Sequence, residues 1–522
     1  MTEKTKLIAF YLPQYHPIPE NDLWWGEGFT EWTNVRKAKP NFDGHYQPRK
    51  PGDLGYYDLR DSTVQKKQIS LAKKFGVYGF CFYYYWFSGK RLLEQPLNLF
   101  LEDKDLEFPF CICWANENWT RRWDGLESEV LIAQNHSPDD YHNFIRNIAP
   151  MLQDERYIRI NGKPLLIVYR ASLLDNPAAA TAIWREECIN LGIGEIYLAA
   201  VQSFDIQDPR IYSFDSAIEF PPFSIPPIYV DHSSLQITNP DFHGTIQDYR
   251  ITATLKMLEP EPDYIKFRTV MPAWDNTARR QNNSLIFINS KPSLYKKWLE
   301  TAIEYTQNHL PTDHQYIFIN AWNEWAEGAY LEPDEIYGTD YLQATKEALR
   351  LLPLQNKISL EPEEEIKNLR YLVESINQYS KKLENHSMEL GQNLIKREQY
   401  LAELSQRLGE QEQYLATLSQ RLGEQEQYLA TLSQQSTERE QLLSDANHQI
   451  IERDKQLLEL TQQIVAREKL LEELSQQIVD QEKLLEERIQ QLEAIFRSRS
   501  WKLTIRLQKL YRFFLKTLPR KK

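Results

Sequence analysis

Two kinds of hydrophobic pattern divide the chain. Up to about residue 350, short and almost continuously apolar runs alternate with amphipathic stretches. Apolar strands separated by helices are typical of a parallel sheet covered on its outer face. The runs that predict strands are Leu7–Tyr11, Tyr78–Tyr84, Phe110–Trp114, Leu165–Tyr169, Ile196–Val201, Ser216–Phe220, Phe267–Pro272 and Tyr316–Ala321. Predicted helices between or after them include Ser62–Phe75, Ser293–His309 and Thr339–Leu351.

Eight strands in this alternation predict an α/β fold, a closed (β/α)8 TIM barrel that occupies residues 1–353. An open doubly wound sheet is the main alternative. No Gly-x-Gly-x-x-Gly follows any of the strands, so nothing indicates a dinucleotide or a phosphate cradle. We therefore expect neither a cofactor nor a metal.

The second pattern is a heptad repeat. With Leu401 at position a, every seventh residue to Leu492 is Leu or Ile, apart from Ser436. This single phase predicts a long α-helical coiled coil over residues 362–496, roughly 195 Å in length. From Arg397 to Gln481 alternate d positions are polar, and so is the next d position, Arg488. Such residues cost stability but penalise shifted registers. They are Arg397, Gln411, Gln425, Arg439, Arg453, Arg467, Gln481 and Arg488. We interpret the coil as a self-associating spacer that makes the protein a homo-oligomer, the alternative being a helix that pairs weakly or packs elsewhere.

Charge sets the last segment apart. The chain carries a net charge of −13, which argues against nucleic acid as a partner. Residues 497–522, in contrast, hold ten Lys or Arg and no Asp or Glu, interspersed with Trp501, Phe513 and Phe514. This basic amphipathic C-terminal tail predicts contact with an anionic membrane surface. The alternative is a positively charged cap of the coil that packs on a partner.

The chain's compartment follows from what the sequence lacks. The first residues have no apolar core of a signal peptide, and no run is long enough to span a bilayer. The four cysteines (Cys81, Cys111, Cys113 and Cys188) lie inside apolar runs, which predicts buried, reduced thiols. We expect a cytoplasmic protein whose tail lies peripherally at the inner face of the cell membrane.

Candidate catalytic residues follow the last predicted strand, in the segment A-W-N-E-W-A-E-G of residues 321–328. The carboxyl ends of barrel strands build the active site, so Glu324 and Glu327 stand where chemistry is expected. Making or cleaving a glycosidic bond needs two carboxyl groups, one to protonate the leaving oxygen and one to act as base or nucleophile. The neighbouring indoles offer flat faces for sugar rings. By spacing alone, the same pair is also compatible with an ordinary solvated turn.

Aromatic and polar side chains also follow the other strands, a mixture that suits a polyhydroxylated ligand. Each of them alone is compatible with ordinary packing. The candidate substrate-binding residues are Tyr11, Gln14, Tyr15, Glu27, Glu31, Trp32, Tyr84, Trp114, Asn116, Glu117, Trp119, Glu219, Trp274, Asp275, Asn323 and Trp325.

Five segments carry a family resemblance: A-F-Y-L-P-Q-Y-H at 9–16, G-E-G-F-T-E-W at 26–32, C-W-A-N-E-N-W-T at 113–120, W-D-N at 274–276 and the segment at 321–328. The sequence resembles the WbsX-like family of lipopolysaccharide-biosynthesis proteins, which is similar to glycoside hydrolase family 99. That resemblance implies a (β/α)8 barrel that acts on α-mannosides with retention. It also implies that Glu324 is the base toward the sugar's own 2-hydroxyl and Glu327 the general acid/base. Ala326 departs from the hydrolase pattern, which has a histidine there.

These observations predict an enzyme, a glycosyltransferase or a retaining glycoside hydrolase. It would make or cleave a glycosidic bond in bacterial surface polysaccharide, that is, lipopolysaccharide or O-antigen biosynthesis. Its partner would be a glycan or a lipid-linked oligosaccharide. The alternative is a noncatalytic glycan-binding scaffold that organises a polysaccharide-synthesis complex through its coiled coil.

Overall fold

The structure, a computed structural model, describes residues 5–121, 126–204, 208–223, 229–230, 232–350, 362–435, 448–470, 472–473 and 475. The chain divides into two compact units, Met1–Ser375 and Ile376–Lys522. The predicted basic tail, and the part of the predicted coil beyond residue 475, lie outside the described residues.

A parallel sheet forms the centre of the first unit. Its strands are β1 (Lys6–Tyr11), β2 (Gly79–Phe87), β3 (Phe110–Trp114), β4 (Lys163–Val168), β5 (Tyr197–Gln202), β6 (Ser216–Glu219), β7 in two pieces (Lys266–Phe267 and Thr269–Val270) and β8 (Tyr316–Ile319). Each strand pairs in parallel with the next along the chain, and β1 also pairs with β8. The first piece of β7 pairs with β6 and the second with β8. A single residue, Arg268, separates the two pieces, so the sheet is a nearly closed barrel.

This arrangement confirms the main feature of the predicted fold, because all eight predicted strands are present within a few residues of their expected bounds. An open doubly wound sheet does not pair the first strand with the last, as β1 and β8 do here.

Helices accompany the strands of the first unit. They are α1 (Pro19–Trp25), α2 (Glu31–Lys37), α3 (Ser62–Phe75), α4 (Gln95–Glu102), α5 (Pro138–Leu152), α6 (Pro177–Asn190), α7 (Tyr249–Met257), α8 (Thr277–Arg280), α9 (Pro292–His309) and α10 (Asp340–Ala348). Local sequence sets their ends. The Asp61 carboxylate, for example, accepts a hydrogen bond from the Thr63 backbone N–H at the start of α3, and Gly76 ends that helix at a φ of 90°.

Short turns and strands complete the first unit. The 3-10 turns are Ala171–Leu173, Pro209–Tyr212, His232–Ser234, Gln281–Asn283, Thr312–His314 and Trp325–Glu327. Among the residues that the structure describes, three pairs of strands lie outside the barrel: Trp119–Arg121 with Leu126–Ile132, Thr245–Asp248 with Leu285–Ile288, and Asn323–Glu324 with Ala329–Tyr330. Lys90–Leu92 pairs with β2, and Arg159–Ile160 pairs with β4.

Alternate residues of the strands face opposite sides of the barrel wall. Inside, the ring of Phe10 lies 5.6 Å from those of Tyr83 and Phe318 and 5.2 Å from that of Phe220. Outside, Trp114 of β3 stacks on Phe144 of α5 at 4.5 Å. The barrel interior is thus filled by aromatic side chains, and its outer surface packs on the helices.

The second unit is helical where it is described. It contains residues 376–435 of helix α11, which as a whole runs from Pro362 to Gln435, and residues 448–470 are also helical. Two hydrogen bonds join these helices: Arg453 donates to the side-chain oxygen of Gln425, and Arg467 to that of Gln411. The partner of Gln411 lies fourteen residues after the partner of Gln425, although Gln411 comes fourteen residues before Gln425 in the sequence. The two helices therefore run antiparallel within one chain. We predicted the polar d positions from the sequence, but not this pairing.

The sequence also made predictions about the cysteines and about membrane-spanning helices. All four cysteines are buried, as the sequence predicted, and each is a free thiol. No helix among the described residues combines the length and the apolar character that a membrane span requires.

Candidate active site

The chain turns sharply after β8, and this turn brings Glu324 and Glu327 together. Asn323–Glu324 forms a two-residue strand, and Trp325–Glu327 a 3-10 turn that begins directly after Glu324. Because a 3-10 turn has three residues per turn, side chains three positions apart lie on the same side. Gly328 ends the turn in the left-handed region at a φ of 61°, and a Cβ there would lie 3.0 Å from the Asp275 backbone nitrogen. A side chain at 328 would therefore be strained both by the backbone conformation and by this close contact.

Both glutamates line a cavity of about 280 Å³. Its other lining residues follow strands β1 to β7 or lie at their carboxyl ends, where barrel active sites are found. They are Leu12, Gln14, Asn21, Trp24, Trp25, Tyr83, Tyr85, Ala115, Glu117, Asn118, Trp119, Thr120, Leu131, Tyr169, Phe204, Phe220, Phe223, Asn276, Arg279 and Arg280. Of the residues that we predicted as substrate-binding, Gln14, Glu117 and Trp119 belong to this lining.

Arg279 joins the two glutamates. Its Nη2 donates to Glu324 Oε2 at 2.9 Å and its Nη1 to Glu327 Oε1 at 2.5 Å. Its Nε donates to Glu31 Oε2 at 3.1 Å. Glu31, predicted as substrate-binding, is fully buried beneath this guanidinium. One cation therefore holds three carboxyl groups in fixed positions around the cavity floor.

Burial and charge shift the pKa values at this cluster. The pKa of Glu324 is raised to about 8: burial raises it most, Arg279 lowers it, and the charges of Glu327 and Glu31 also raise it. Burial opposes the charge of Arg279, but the carboxylates outweigh that effect and raise its pKa well above the ordinary value. At neutral pH Glu324 therefore largely keeps its proton.

Two residues that we predicted as substrate-binding hold the turn in place through hydrogen bonds. Asn323 is fully buried, and its side chain accepts from the Leu12 backbone N–H at 2.7 Å and donates to the Leu12 carbonyl at 3.0 Å. The hydroxyl of Tyr15 donates to the Asn323 carbonyl at 2.5 Å and accepts from the Trp325 backbone N–H at 3.1 Å. Tyr15 and Asn323 thus fasten the turn to the end of β1 and lie outside the cavity lining.

Aromatic rings and one further ion pair shape the cavity walls. The Trp119 ring lies 5.3 Å from Tyr85 and 5.8 Å from Trp24, edge to face in both cases. Arg170 donates to the Glu117 carboxylate at 2.6 Å, and Glu117 lines the cavity. Flat apolar faces next to carboxylates are what a sugar ring with its hydroxyls requires.

Three aromatic candidates point away from the cavity. Tyr84 donates its hydroxyl to Asn147 on α5, Trp114 packs on α5, and Tyr11 donates to Gln68 on α3. Their strand neighbours Tyr83 and Tyr85 line the cavity instead. Because successive side chains of a strand point to opposite sides, the prediction of Tyr84 in β2 was wrong by one residue.

Glu219, which we predicted as substrate-binding, lies outside the cavity lining. It accepts from Lys256 at 3.2 Å and from Arg268 at 2.8 Å, and lies 3.2 Å from Lys266. The same three cations contact Glu259. Burial raises the pKa of Glu219, but the three cations outweigh it and hold the pKa well below the ordinary value. We call these five residues the β6–β7 ion cluster. Glu219 has a structural role as an anion of this cluster and does not line the cavity.

The remaining candidates also lie outside the cavity lining. The Asp275 carboxylate bonds to His45 at 2.8 Å and Gln47 at 2.6 Å. The Asn116 side chain bonds to the backbone of Arg170. Core positions are occupied by Trp32, Trp274 and Trp325, whereas Glu27 is exposed.

Sequence reasoning missed Arg279, Tyr83, Tyr85 and Tyr169. The signal for Arg279 was its place three residues after the segment W-D-N at 274–276, which we singled out in the sequence. The tyrosines lie in or directly after predicted strands, but the pattern does not reveal which of two neighbours faces inward.

Acidic and aromatic side chains around the mouth of a parallel barrel are features of carbohydrate-active proteins. The sequence matches the Glycosyltransferase WbsX family over residues 7–345, and the chain belongs to this family. This confirms the resemblance predicted from the five segments.

Two relatives and two solved structures are similar to this chain over about two thirds of its length. The uncharacterized protein WxcX of Xanthomonas campestris pv. campestris, in strains ATCC 33913 and B100, is 49% identical over 348 residues, which cover 66% of this chain and 50% of that protein. The chain thus spans about half the length of the curated relatives it matches. A GH99 endo-alpha-mannosidase from Bacteroides thetaiotaomicron is similar with a TM-score of 0.42 and 17% identity, over 67% of this chain and 97% of that chain. A glycoside hydrolase-like protein has a TM-score of 0.42 and 14% identity, over 67% and 95%.

Proposed function

We propose that this protein makes or cleaves a glycosidic bond, with Glu324 and Glu327 as its pair of catalytic carboxyl groups. The substrate would be a glycan of bacterial surface polysaccharide, carried as a lipid-linked oligosaccharide. The observation that carries the proposal is the shared place of the two carboxyl groups: both line one aromatic cavity at the carboxyl ends of the barrel strands, and both bond to one guanidinium.

The two carboxyl groups differ in a way that suits two roles. Glu324 is the more buried, with 6% of its side chain exposed against 19% for Glu327. A pKa of about 8 makes Glu324 a far stronger base than an ordinary glutamate once it is ionised. We assign it the role of base toward a sugar hydroxyl. Glu327, more accessible from the cavity, would protonate and deprotonate the oxygen of the leaving or entering group.

Direct assay of lipid-linked oligosaccharides tests the proposal. The full chain is incubated with these glycans, with and without nucleotide sugars, and the products are analysed by mass spectrometry. Loss of a sugar identifies a hydrolase and gain of a sugar a transferase. Glu324→Gln and Glu327→Gln should each reduce the rate by at least about a hundredfold, because each removes a proton-transfer group.

Glu335→Gln provides a matched control. Glu335 is exposed at the surface and pairs with Lys50 at 3.4 Å, away from the cavity lining. This variant should keep the wild-type rate. Wild-type activity in the Glu327→Gln variant would reject the assigned role of Glu327.

One observation favours the alternative of a noncatalytic glycan-binding scaffold. Arg279 bonds to one oxygen of each glutamate, so a proton transfer must use the other oxygen or follow a change in these bonds. If no glycan is converted but oligosaccharides still bind, and Trp119→Ala abolishes that binding, the scaffold is the better description.

A further inference from the structure

Glu332 is a buried acidic side chain to which the proposed reaction gives no role. It lies four residues after Gly328, and only 2% of it is exposed. Within the part of the chain that the structure describes, it forms no salt bridge. A buried carboxyl group without a cation must be held by hydrogen bonds, and those bonds reveal what it does.

Four donors surround this carboxyl group. Oε1 accepts from Trp322 Nε1 at 2.9 Å and from Gln68 Nε2 at 2.6 Å. Oε2 accepts from Trp325 Nε1 at 2.7 Å and from the Tyr57 hydroxyl at 2.8 Å. Both oxygens are therefore used twice, and each accepts from one indole of the segment that carries the candidate catalytic residues.

The two indoles are close in sequence to Glu324 and Glu327. Trp322 comes two positions before Glu324, and Trp325 lies between Glu324 and Glu327. Both are almost fully buried. We propose that Glu332 is a positioning residue: its carboxylate orients Trp322 and Trp325, and thereby fixes the turn that presents Glu324 and Glu327 to the cavity. This inference rests on the proposed function for its effect on catalysis, but its effect on the indoles is independent of it.

The bonding pattern favours the ionised form of Glu332. An indole N–H can only donate, and so can the Gln68 amide nitrogen, so of the four partners only the Tyr57 hydroxyl can accept a proton from a neutral carboxyl group. Protonation would therefore reverse or break at least one bond and would weaken the acceptor to which an indole N–H donates. Burial raises the pKa of Glu332 to about 7, against the lowering effect of its four donors. Its charge thus changes in the neutral range.

Other titratable groups lie close to this site. Burial raises the pKa values of Tyr11, Tyr15 and Tyr57 well above their ordinary value, so these hydroxyls stay neutral over the range concerned. Glu324, with a pKa of about 8, is the neighbour that also titrates there. The experiment must therefore separate Glu332 from Glu324.

Indole N–H resonances provide that separation. The full chain is labelled with ¹⁵N-tryptophan, and Trp322→Phe and Trp325→Phe identify the two signals among those of the 13 tryptophans. Between pH 5.5 and 8.5, both signals should shift with one common midpoint near 7. The shift should persist in Glu324→Gln and disappear in Glu332→Gln. Signals that do not titrate, or that still titrate in Glu332→Gln, overturn the proposal.

A second variant covers the case in which Glu332→Gln does not fold. Tyr57→Phe removes one of the four donors and leaves the carboxyl group in place. Losing one hydrogen bond to the charged form should raise the common midpoint by about one pH unit. An unchanged midpoint would show that the carboxylate does not depend on this network.

Kinetics test the catalytic part. In the glycan assay, Glu332→Gln should lower kcat by about 10- to 100-fold with little change in KM, because a displaced turn misaligns the carboxyl groups without removing them. Glu335→Gln should leave both constants unchanged. Full kcat in Glu332→Gln would reject a positioning role. If the wild-type protein converts no glycan, the proposed function fails, whereas the indole titration still decides whether Glu332 holds the turn.

Discussion

Glu324 should make the stability of the protein depend on pH. Its pKa is about 8 in the folded protein, against the ordinary value of about 4.5 for the unfolded chain. The stabilisation linked to this proton is fully present below pH 4.5 and is lost as the pH rises through 8. Glu324→Gln removes the titration. We define the stability difference as the unfolding free energy of the variant minus that of the wild type, measured by urea denaturation. This difference should increase by about 2–4 kcal/mol when the pH is raised from 5 to 9.

Glu335→Gln serves as the control in the same titration. Its pH profile should run parallel to that of the wild type, because Glu335 is exposed. A wild-type protein whose stability difference from Glu324→Gln does not vary with pH would contradict the raised pKa.

Arg279 is the residue on which the charge balance of the cavity depends. Replacing it by Met leaves three neighbouring carboxyl groups without their shared cation. Breaking a buried ion pair from one side typically costs about 3–5 kcal/mol. We expect Arg279→Met to lose that amount at pH 8, and much less at pH 5, where the carboxyl groups can bind protons instead. Thermal unfolding at both pH values measures the difference; an equal loss at both would mean that Arg279 acts through packing alone.

Residue-level reasoning from the sequence found the two glutamates because strand ends and active sites coincide in barrels. It did not find Arg279, because a cation belongs to an acidic site through three-dimensional contacts rather than through spacing. It also chose Tyr84 where Tyr83 and Tyr85 face the cavity. In a strand buried on both sides, every residue is apolar or aromatic, so composition does not distinguish the inner side from the outer.

At the scale of elements, the two helices of the second unit make a register prediction. Gln411 meets Arg467, and Gln425 meets Arg453. Cysteines placed at 411 and 467 in the full chain should therefore form a disulfide within one chain under mild oxidation. Mass spectrometry of the monomer band on a non-reducing gel detects it. The native cysteines are buried and should not compete.

Cysteines at 411 and 453 provide the matched control, because the second position is shifted by fourteen residues, or about 21 Å along the helix. This pair should not form a disulfide within the monomer. A disulfide that links two chains in the 411/467 variant would instead support the self-association that the heptad pattern predicts.

The predictability of the elements depended on their length. The strands and the helices α3 and α9 follow from the hydrophobic period along the sequence. The 3-10 turn at Trp325–Glu327 is too short to show a period. Similarly, a heptad pattern specifies an apolar seam but not the direction of the helix that covers it, so the antiparallel contact within one chain could not be derived from it.

For the whole molecule, membrane contact through residues 497–522 stays a prediction. The full chain and a chain that ends at residue 496 are mixed with vesicles of phosphatidylcholine, with or without phosphatidylglycerol. Only the full chain should float with the anionic vesicles, because each cation near the surface contributes about 1 kcal/mol. Equal flotation of the shortened chain would assign membrane contact to another part of the protein or to none.

The interruption of β7 at Arg268 determines how the barrel responds to acid. The Arg268 side chain belongs to the β6–β7 ion cluster, which joins β6 to the strand that closes the ring. Because the pKa of Glu219 is depressed, its stabilising contribution is present above the ordinary pKa of a glutamate and is lost only as the pH falls through the lowered value. Below that value, Lys256, Lys266 and Arg268 would repel one another at the joint. In strong acid, the pairing of β6 with β7 should therefore be lost first. The barrel would open between these two strands while its other strand pairs are still intact.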